Sequence, residues 1–267
     1  MSKLRTILVI AVVLVTTLLA IRILTRQPET LETEPDTLVK PKPELKPEPV
    51  ITRESKLPDD LMKQSPDSDI SPPVMHSFLW EDPVPLKGTV NTVGGEDSAF
   101  IMPDGETLYF FFTPDVRKLA EQQILDDVTG IWVAQRKGDE WGDVERVKLI
   151  DKGISLDGAQ FVNEEEIWFA SVRLGNYNEI DYYIADIVDG EYVNIRNAEE
   201  LNTETQVGEL HLTSDRQTLY FHSYREGGKG DMDIWMIERD EDGWSEPVNV
   251  ENVNSEVLDG YPYISED

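Results

Sequence analysis

The sequence predicts an all-β domain, a β-propeller of four-stranded antiparallel blades with three full repeats and partial blades, preceded by an N-terminal transmembrane helix and a disordered linker. Three observations carry this. Aromatic triplets recur in register, turn residues divide each repeat into four short strand candidates, and composition changes abruptly near residue 78. All 23 Phe, Trp and Tyr lie at or after Phe78, whereas ten of the 16 prolines fall between Pro28 and Pro73. Aromatic and aliphatic residues build cores, so the folded domain is assigned to residues 78–267.

Residues 1–26 read as a membrane anchor. From Ile7 to Ile21 the chain carries no charge, with Lys3 and Arg5 before it and Arg22 and Arg26 after it. A helix needs about 20 apolar residues to cross the hydrocarbon core. Ile23 and Leu24 extend the run if Arg22 snorkels to the headgroups. A cleaved signal segment is the alternative, but bulky or charged residues follow where a small-x-small cleavage site belongs. Both readings send the domain out of the cytoplasm, to a periplasmic or extracellular location.

Residues 27–77 read as a tether. The run Pro41-Lys42-Pro43-Glu44-Leu45-Lys46-Pro47-Glu48-Pro49 alternates proline with charge and offers little apolar surface to bury. As a flexible coil such a stretch spans on the order of 40 Å.

Within residues 78–267, Leu108-Tyr109-Phe110, Ile167-Trp168-Phe169 and Leu219-Tyr220-Phe221 recur at intervals of 59 and 52. Gly130-Ile131-Trp132, Asp181-Tyr182-Tyr183 and Asp233-Ile234-Trp235 follow at 51 and 52, as do Trp141, Tyr192 and Trp244. One insertion, roughly Asp115 to Asp127, accounts for the longer first interval, and its Val116, Leu119 and Ile124 suit one side of a short helix. In the third repeat the strand candidates are Glu209–Thr213, Thr218–Ser223, Asp233–Glu238 and Pro247–Val250. Ser214–Gln217 joins the first pair, as Pro103-Asp104-Gly105-Glu106 does in the first repeat, and Asp240–Gly243 joins the second. Four antiparallel strands per unit of about 50 residues is the pattern of a propeller blade.

Val84–Lys87 and Val90–Thr92 match Asn249 and Val253–Ser255 at a constant offset of 163, so a leading outer strand is expected there. Gly260–Asp267 matches Gly208–Asp215 and predicts a trailing inner strand. Three repeats with a strand to spare at each end imply a propeller incomplete at its C-terminus, because a half-made hairpin leaves an unpaired edge.

The hairpin Ser214-Asp215-Arg216-Gln217, the strand Thr218–Phe221, the loop Ser223-Tyr224-Arg225-Glu226-Gly227-Gly228 and the strand Asp233-Ile234-Trp235 resemble the WD40-like propeller repeat of the TolB-like family. The first repeat departs from that pattern in lacking the loop arginine and the aspartate before Ile131. The second replaces the hairpin Asp-Gly with Asn163-Glu164-Glu165-Glu166. The resemblance implies a non-catalytic binding or scaffold module, engaging a peptide segment or an envelope component at the mouth of a central channel.

Composition narrows the functional classes. With 53 acidic and 24 basic residues the formal charge is -29, a surface that repels phosphate backbones, so nucleic acid is excluded as a partner. With no cysteine, disulfides, iron–sulfur clusters, thiol nucleophiles and the usual structural zinc sites are excluded, and His76, His211 and His222 lack the spacing of a zinc hydrolase. No cofactor is called for. The residues opening the inner strands are acidic: Glu96, Asp97, Asp157, Glu209 and Asp259. Converging on the channel mouth with His211, they would suit a cationic protein segment or a calcium ion; dispersed, they cap turns or face solvent. Arg173, Asp181, Arg225, Asp233, Trp235 and Trp244 recur at the repeat period and are read as scaffold, the arginines and aspartates as a blade-closing contact. No nucleophile elbow or catalytic constellation is present. The rival reading makes this the propeller part of an extracytoplasmic hydrolase, glycosidase- or sialidase-like or attached to a serine peptidase.

Overall fold

The computed structural model describes residues 51–265 apart from residues 73, 76, 77, 80, 150–152, 203, 204 and 242. The chain divides into two units, residues 1–48 and 49–267, and the second is described here. The expected anchor, residues 1–26, lies outside the described residues, as does the linker before residue 51. Among the described residues no helix is long and apolar enough to cross a membrane.

Three antiparallel sheets follow one another along the chain, without a closed barrel. The first contains β1 (Gly95–Ile101), β2 (Thr107–Thr113), β3 (Gly130–Lys137) and β4 (Glu140–Arg146), in that spatial order. The second contains β5 (Leu156–Val162), β6 (Glu166–Val172), β7 (Asp181–Val188) and β8 (Glu191–Asn197), again in chain order. The third contains β9 (Val207–Leu212), β10 (Thr218–Ser223) and β11 (Asp233–Asp240), with its outer edge broken into β12 (Gly243–Trp244) and β13 (Val248–Asn249). Both fragments pair with β11. The break falls at Ser245-Glu246-Pro247, where proline cannot donate to a ladder.

Strand position follows sequence character. The second strands are apolar on both faces, as in Leu108-Tyr109-Phe110-Phe111-Phe112, and are the most buried. The outer strands β4 and β8 alternate between exposed and covered residues, as sheet edges with one solvated face do. Hairpins between first and second strands turn on a side-chain acceptor. Asp104 Oδ1 accepts from the backbone N–H groups of Glu106 and Thr107 at 2.8 and 3.2 Å. Asn163 Oδ1 does the same for Glu165 and Glu166, both at 2.8 Å, so asparagine preserves the turn where the Asp-Gly pair is missing.

The sheets stack face to face. Tyr109, Ile131, Val147 and Leu149 of the first repeat pack with Val162, Ile167, Phe169 and Tyr183 of the second. Phe161, Trp168, Tyr182 and Leu201 of the second pack with Leu210, Leu219, Phe221 and Trp235 of the third. A third cluster, Leu108, Phe110, Phe112, Val128, Trp132 and Trp141 with Val90, covers the opposite face of the first sheet. Strand β5 touches β1, β2 and β3 on one side and β9 on the other, so the first strands adjoin and the outer strands fan away.

Three local expectations are corrected. The insertion forms one short helix, α1 (Ala120–Gln123), and Val116 and Leu119 are exposed rather than lining a buried side. A single turn cannot present a stripe; the insertion is held instead by Asp126, whose carboxylate accepts from Val128 N–H, Thr129 N–H and the Thr129 hydroxyl. The expected leading strand, Val84–Lys87, forms no ladder. It leads into Lys87–Thr89, which meets the β4 edge through Trp141 N–H to Lys87 O and Thr89 N–H to Trp141 O, both 2.9 Å. Finally, the stretch assigned to the tether is not all free of the domain: the Arg53 side chain is 2% exposed, packed against the first sheet.

Candidate functional site

The repeat register brings equivalent first-strand residues together. Phe100 faces Tyr109, Phe161 faces Trp168 and His211 faces Tyr220 in their hairpins, so the three hold matching positions on β1, β5 and β9. Tyr263 follows His211 by 52 residues on the trailing segment. Their rings meet. Phe100 and Phe161 are 5.3 Å apart edge to face, Phe161 and His211 4.9 Å, and His211 and Tyr263 4.8 Å. The four form the floor of an open cavity of about 880 Å³, walled by Met102, Pro103, Asn163, Glu164, Thr213, Asp215, Arg216 and Ser265. His211 is therefore part of an aromatic cluster, and burial lowers its pKa to about 4.

The trailing segment, expected to be an inner strand, forms none over its described residues 260–265, but it passes beside the third sheet at His222. Gly158 on β5 sits so close to Phe111 that an added Cβ would be 2.9 Å from its ring, and Gly260 lies equally close to His222, 3.1 Å from Nδ1 by the same measure. Phe111 and His222 hold equivalent positions on β2 and β10, one residue after Phe110 and Phe221. His222 Nδ1 accepts the Tyr261 backbone N–H at 3.2 Å, while Nε2 is 3.2 Å from Glu209 Oε2. A neutral imidazole with its proton on Nε2 satisfies both partners. Gly208 is closer still, its added Cβ falling 1.6 Å from His222 Nε2.

The acidic residues expected at the channel mouth divide. Asp157 is buried and accepts from the Ser171 hydroxyl at 2.6 Å, Arg173 Nη2 at 2.7 Å and the Ser155 hydroxyl at 2.8 Å. Glu96 accepts from the backbone and hydroxyl of Thr92 at 3.1 and 2.7 Å, and Asp259 from those of Ser255 at 2.6 and 2.8 Å. These three are spent locally, and the Ser255 hydrogen bonds hold the Asp259 carboxyl below its ordinary range. Asp97 is exposed. Glu209 is half-buried, and burial, with a smaller contribution from the charge of Asp97, holds its pKa above the ordinary carboxylate value. Among the described residues no three His, Asp or Glu side chains converge to hold a metal ion, so the calcium arrangement does not form there.

The expected Arg173–Asp181 and Arg225–Asp233 contacts are not made. Asp181 instead accepts from Tyr177 N–H, Asn178 N–H and Asn197 Nδ2 at 2.6, 3.0 and 2.8 Å. Asn202 extends the lock, accepting Tyr182 N–H and donating to Tyr182 O and Asn197 Oδ1 at 2.8, 2.8 and 2.7 Å. The same set recurs 52 residues on: Asp233 with Lys229, Gly230 and Asn249, and Asn254 with Ile234 and Asn249. Asparagine carries both a donor and an acceptor, so it closes a loop onto a strand where arginine, donor only, cannot. Sequence reasoning missed these asparagines although they keep the period.

The arginines do something else. Each lies over a cross-strand aromatic pair: Arg173 over Phe169 and Tyr183 at 5.2 and 4.5 Å, Arg225 over Phe221 and Trp235 at 4.8 and 5.4 Å. Trp244 receives Arg239 at 4.5 Å and lines a 420 Å³ cleft with Trp168, Arg196 and Glu200 between the second and third sheets.

A scan against protein-family models finds no match, and a search of curated proteins finds none. Among solved structures, the crystal structure of puromycin hydrolase is similar at 11% identity and a TM-score of 0.34, over 58% of this chain and 24% of that one. This chain thus spans well under half of that protein's length.

Proposed function

We propose that residues 78–267 are a β-propeller-type binding module, non-catalytic in itself, that takes a cationic peptide segment or envelope component at the axis where the first strands meet. The observation that carries the reading is the convergence of Phe100, Phe161, His211 and Tyr263 under an open cavity of about 880 Å³. The rings at the floor offer broad apolar contact and the polar wall residues offer hydrogen-bonding partners to a bound segment. Glu164 and Asp215 in the wall, and Asp97 and Glu209 at the opposite ends of the same strands, supply the negative field that would draw a basic segment. His211 has rings for neighbours and His222 is engaged by Glu209 and a backbone amide, so neither is poised against a hydroxyl nucleophile. The apolar run Ile7–Ile21 supports attachment to a membrane with the domain outside the cytoplasm.

Titration of the full chain with a lysine- and arginine-rich peptide of about ten residues, and with its glutamate counterpart, tests this. The basic peptide should bind, with affinity falling steeply between low and physiological salt, and Tyr263→Ala should weaken it at least about tenfold. Equal binding of both peptides, or no effect of Tyr263→Ala, would sink the reading.

A further inference from the structure

The first repeat lacks a residue the other two share. By the sheet registers, Arg173 follows β6 and Arg225 follows β10 at the position that Pro114 holds after β2. The aromatic pair that should receive a guanidinium is nevertheless present: Phe110 pairs with Trp132 as Phe169 does with Tyr183 and Phe221 with Trp235. Arg53, sixty residues upstream of β2's end, fills the vacancy. Its guanidinium lies 5.4 Å from the Phe110 ring, 5.5 Å from Trp132 and 5.0 Å from Phe112.

The polar contacts match as well. Arg173 Nη1 donates to Leu149 O at 3.4 Å and Nη2 to the Asp157 carboxylate at 2.7 Å. Arg53 Nη1 donates to Val90 O at 3.0 Å, Nη2 donates to Thr89 O at 2.7 Å, and the Glu96 carboxylate stands 3.9 Å away. Val90 O takes toward Arg53 the part that Leu149 O takes toward Arg173, and Glu96 is the counterpart of Asp157, each one residue into its strand pairing. Backbone carbonyls, one carboxylate and an aromatic pair make a slot specific for a planar guanidinium.

We infer that the first repeat carries a guanidinium-binding slot whose ligand is Arg53, and that residues 51–63 are an intramolecular strap completing this repeat. The neighbouring contacts run along the same segment. Asp60 receives Arg117 of the insertion at 2.8 and 3.1 Å, Lys63 Nζ donates to Asn91 O at 2.7 Å, and Lys56 stands 4.0 Å from Asp127. Exposed pairs of this kind add little each, so the strap hangs on Arg53, which is desolvated between rings. The strap has two consequences. The tether leaves the domain before residue 51 rather than at residue 77, and a pull on the upstream chain is delivered to β2 and β3. The inference stands whether or not the axial cavity binds a peptide.

Three full-length proteins test it: the natural chain, Arg53→Ala, and Arg53→Ala with Pro114→Arg, which returns to the first repeat the arginine that the others have. Tryptic cleavage at Lys56 and Lys63 and amide hydrogen exchange across β2 and β3 are measured on each. In Arg53→Ala both cleavages should accelerate at least about tenfold and β2 and β3 should lose protection. In the double variant β2 and β3 should regain protection while Lys56 and Lys63 stay open to trypsin, separating the slot from the strap. Unchanged cleavage in Arg53→Ala would overturn the strap. Failure of Pro114→Arg to restore β2 and β3, including failure of the double variant to fold, would overturn the equivalence of the slots.

Discussion

The Asp157 carboxylate and the Arg173 guanidinium form a buried pair, 2.7 Å apart with side chains 5% and 9% exposed, between the start of β5 and the end of β6. The carboxylate also takes two serine hydroxyls, and the guanidinium rests on Phe169 and Tyr183. Removing one member of such a pair strands the other charge in a place water does not reach. Asp157→Ala is therefore expected to cost about 3–5 kcal/mol. Glu96→Ala, at the matching position but 3.9 Å from Arg53 and more exposed, should cost about 1 kcal/mol. Urea denaturation of the two variants gives both values, and equal losses would show that the repeats do not use these acids alike.

The three antiparallel sheets were legible because their signal is a period. Aromatic triplets 59 and 52 residues apart mark second strands, and the turn residues between strands set the hairpins of the third repeat to within a few residues. The acidic ring was not legible, because a charge at a strand start has no periodic signature of whether a neighbouring hydroxyl or guanidinium will consume it. Asp157 is consumed by Ser155, Ser171 and Arg173, whereas Asp97 takes one backbone N–H, that of Ser98, and stays exposed. Arg53 was hidden for another reason. Its stretch has the composition of a tether, and one arginine among prolines and acids gives no hint that it completes a sheet 60 residues away. The absence of an arginine at Pro114 was the available clue.

Asn202 and Asn254 perform one task twice, each tying a loop to the strand two residues into β7 or β11. Each makes three hydrogen bonds, accepting a backbone N–H at Tyr182 or Ile234 and donating to the carbonyl of the same residue and to a neighbouring asparagine. Asn202→Ala and Asn254→Ala should each cost about 2 kcal/mol. Because the locks sit in separate repeats, the double variant should lose the sum to within about 0.5 kcal/mol. A clear departure from additivity in thermal or urea unfolding would mean that the two locks report one cooperative element.

Glu209 is held in an unfavourable ionised state at neutral pH, since burial and the charge of Asp97 both raise its pKa. A carboxyl whose folded pKa lies above its unfolded value loses stability as pH rises through the unfolded value, and the loss persists at pH 7. Glu209→Gln keeps an acceptor near His222 Nε2 and removes the charge. It should raise the melting temperature at pH 7 while weakening the basic peptide by a few-fold. A lower melting temperature would show that the His222 contact outweighs the cost of the charge, and undiminished binding would show that the charge of Glu209 is not felt at the cavity.

His211 offers a separate test through pH. Burial among Phe100, Phe161 and Tyr263 lowers its pKa from 6.5 to about 4, so the folded state holds the imidazole neutral while the unfolded chain takes up a proton between those values. Stability is then full above pH 6.5 and falls as pH drops toward 4, by at most about 3 kcal/mol for this residue. His222 also titrates at about 4, but its Glu209 neighbour at 3.2 Å favours the protonated form and should blunt its share. The hydrogen-bonded carboxylates Asp186 and Asp215 have lowered pKa values and act below about pH 4, outside this window. Phenylalanine already fills the matching positions on β1 and β5, so His211→Phe retains the ring packing without a titrating group. Urea denaturation between pH 7 and 4.5 should show a natural chain that weakens with acid and a His211→Phe variant that weakens about half as much. If both chains follow the same pH curve, His211 is not desolvated in solution and the aromatic floor of the cavity is open to water.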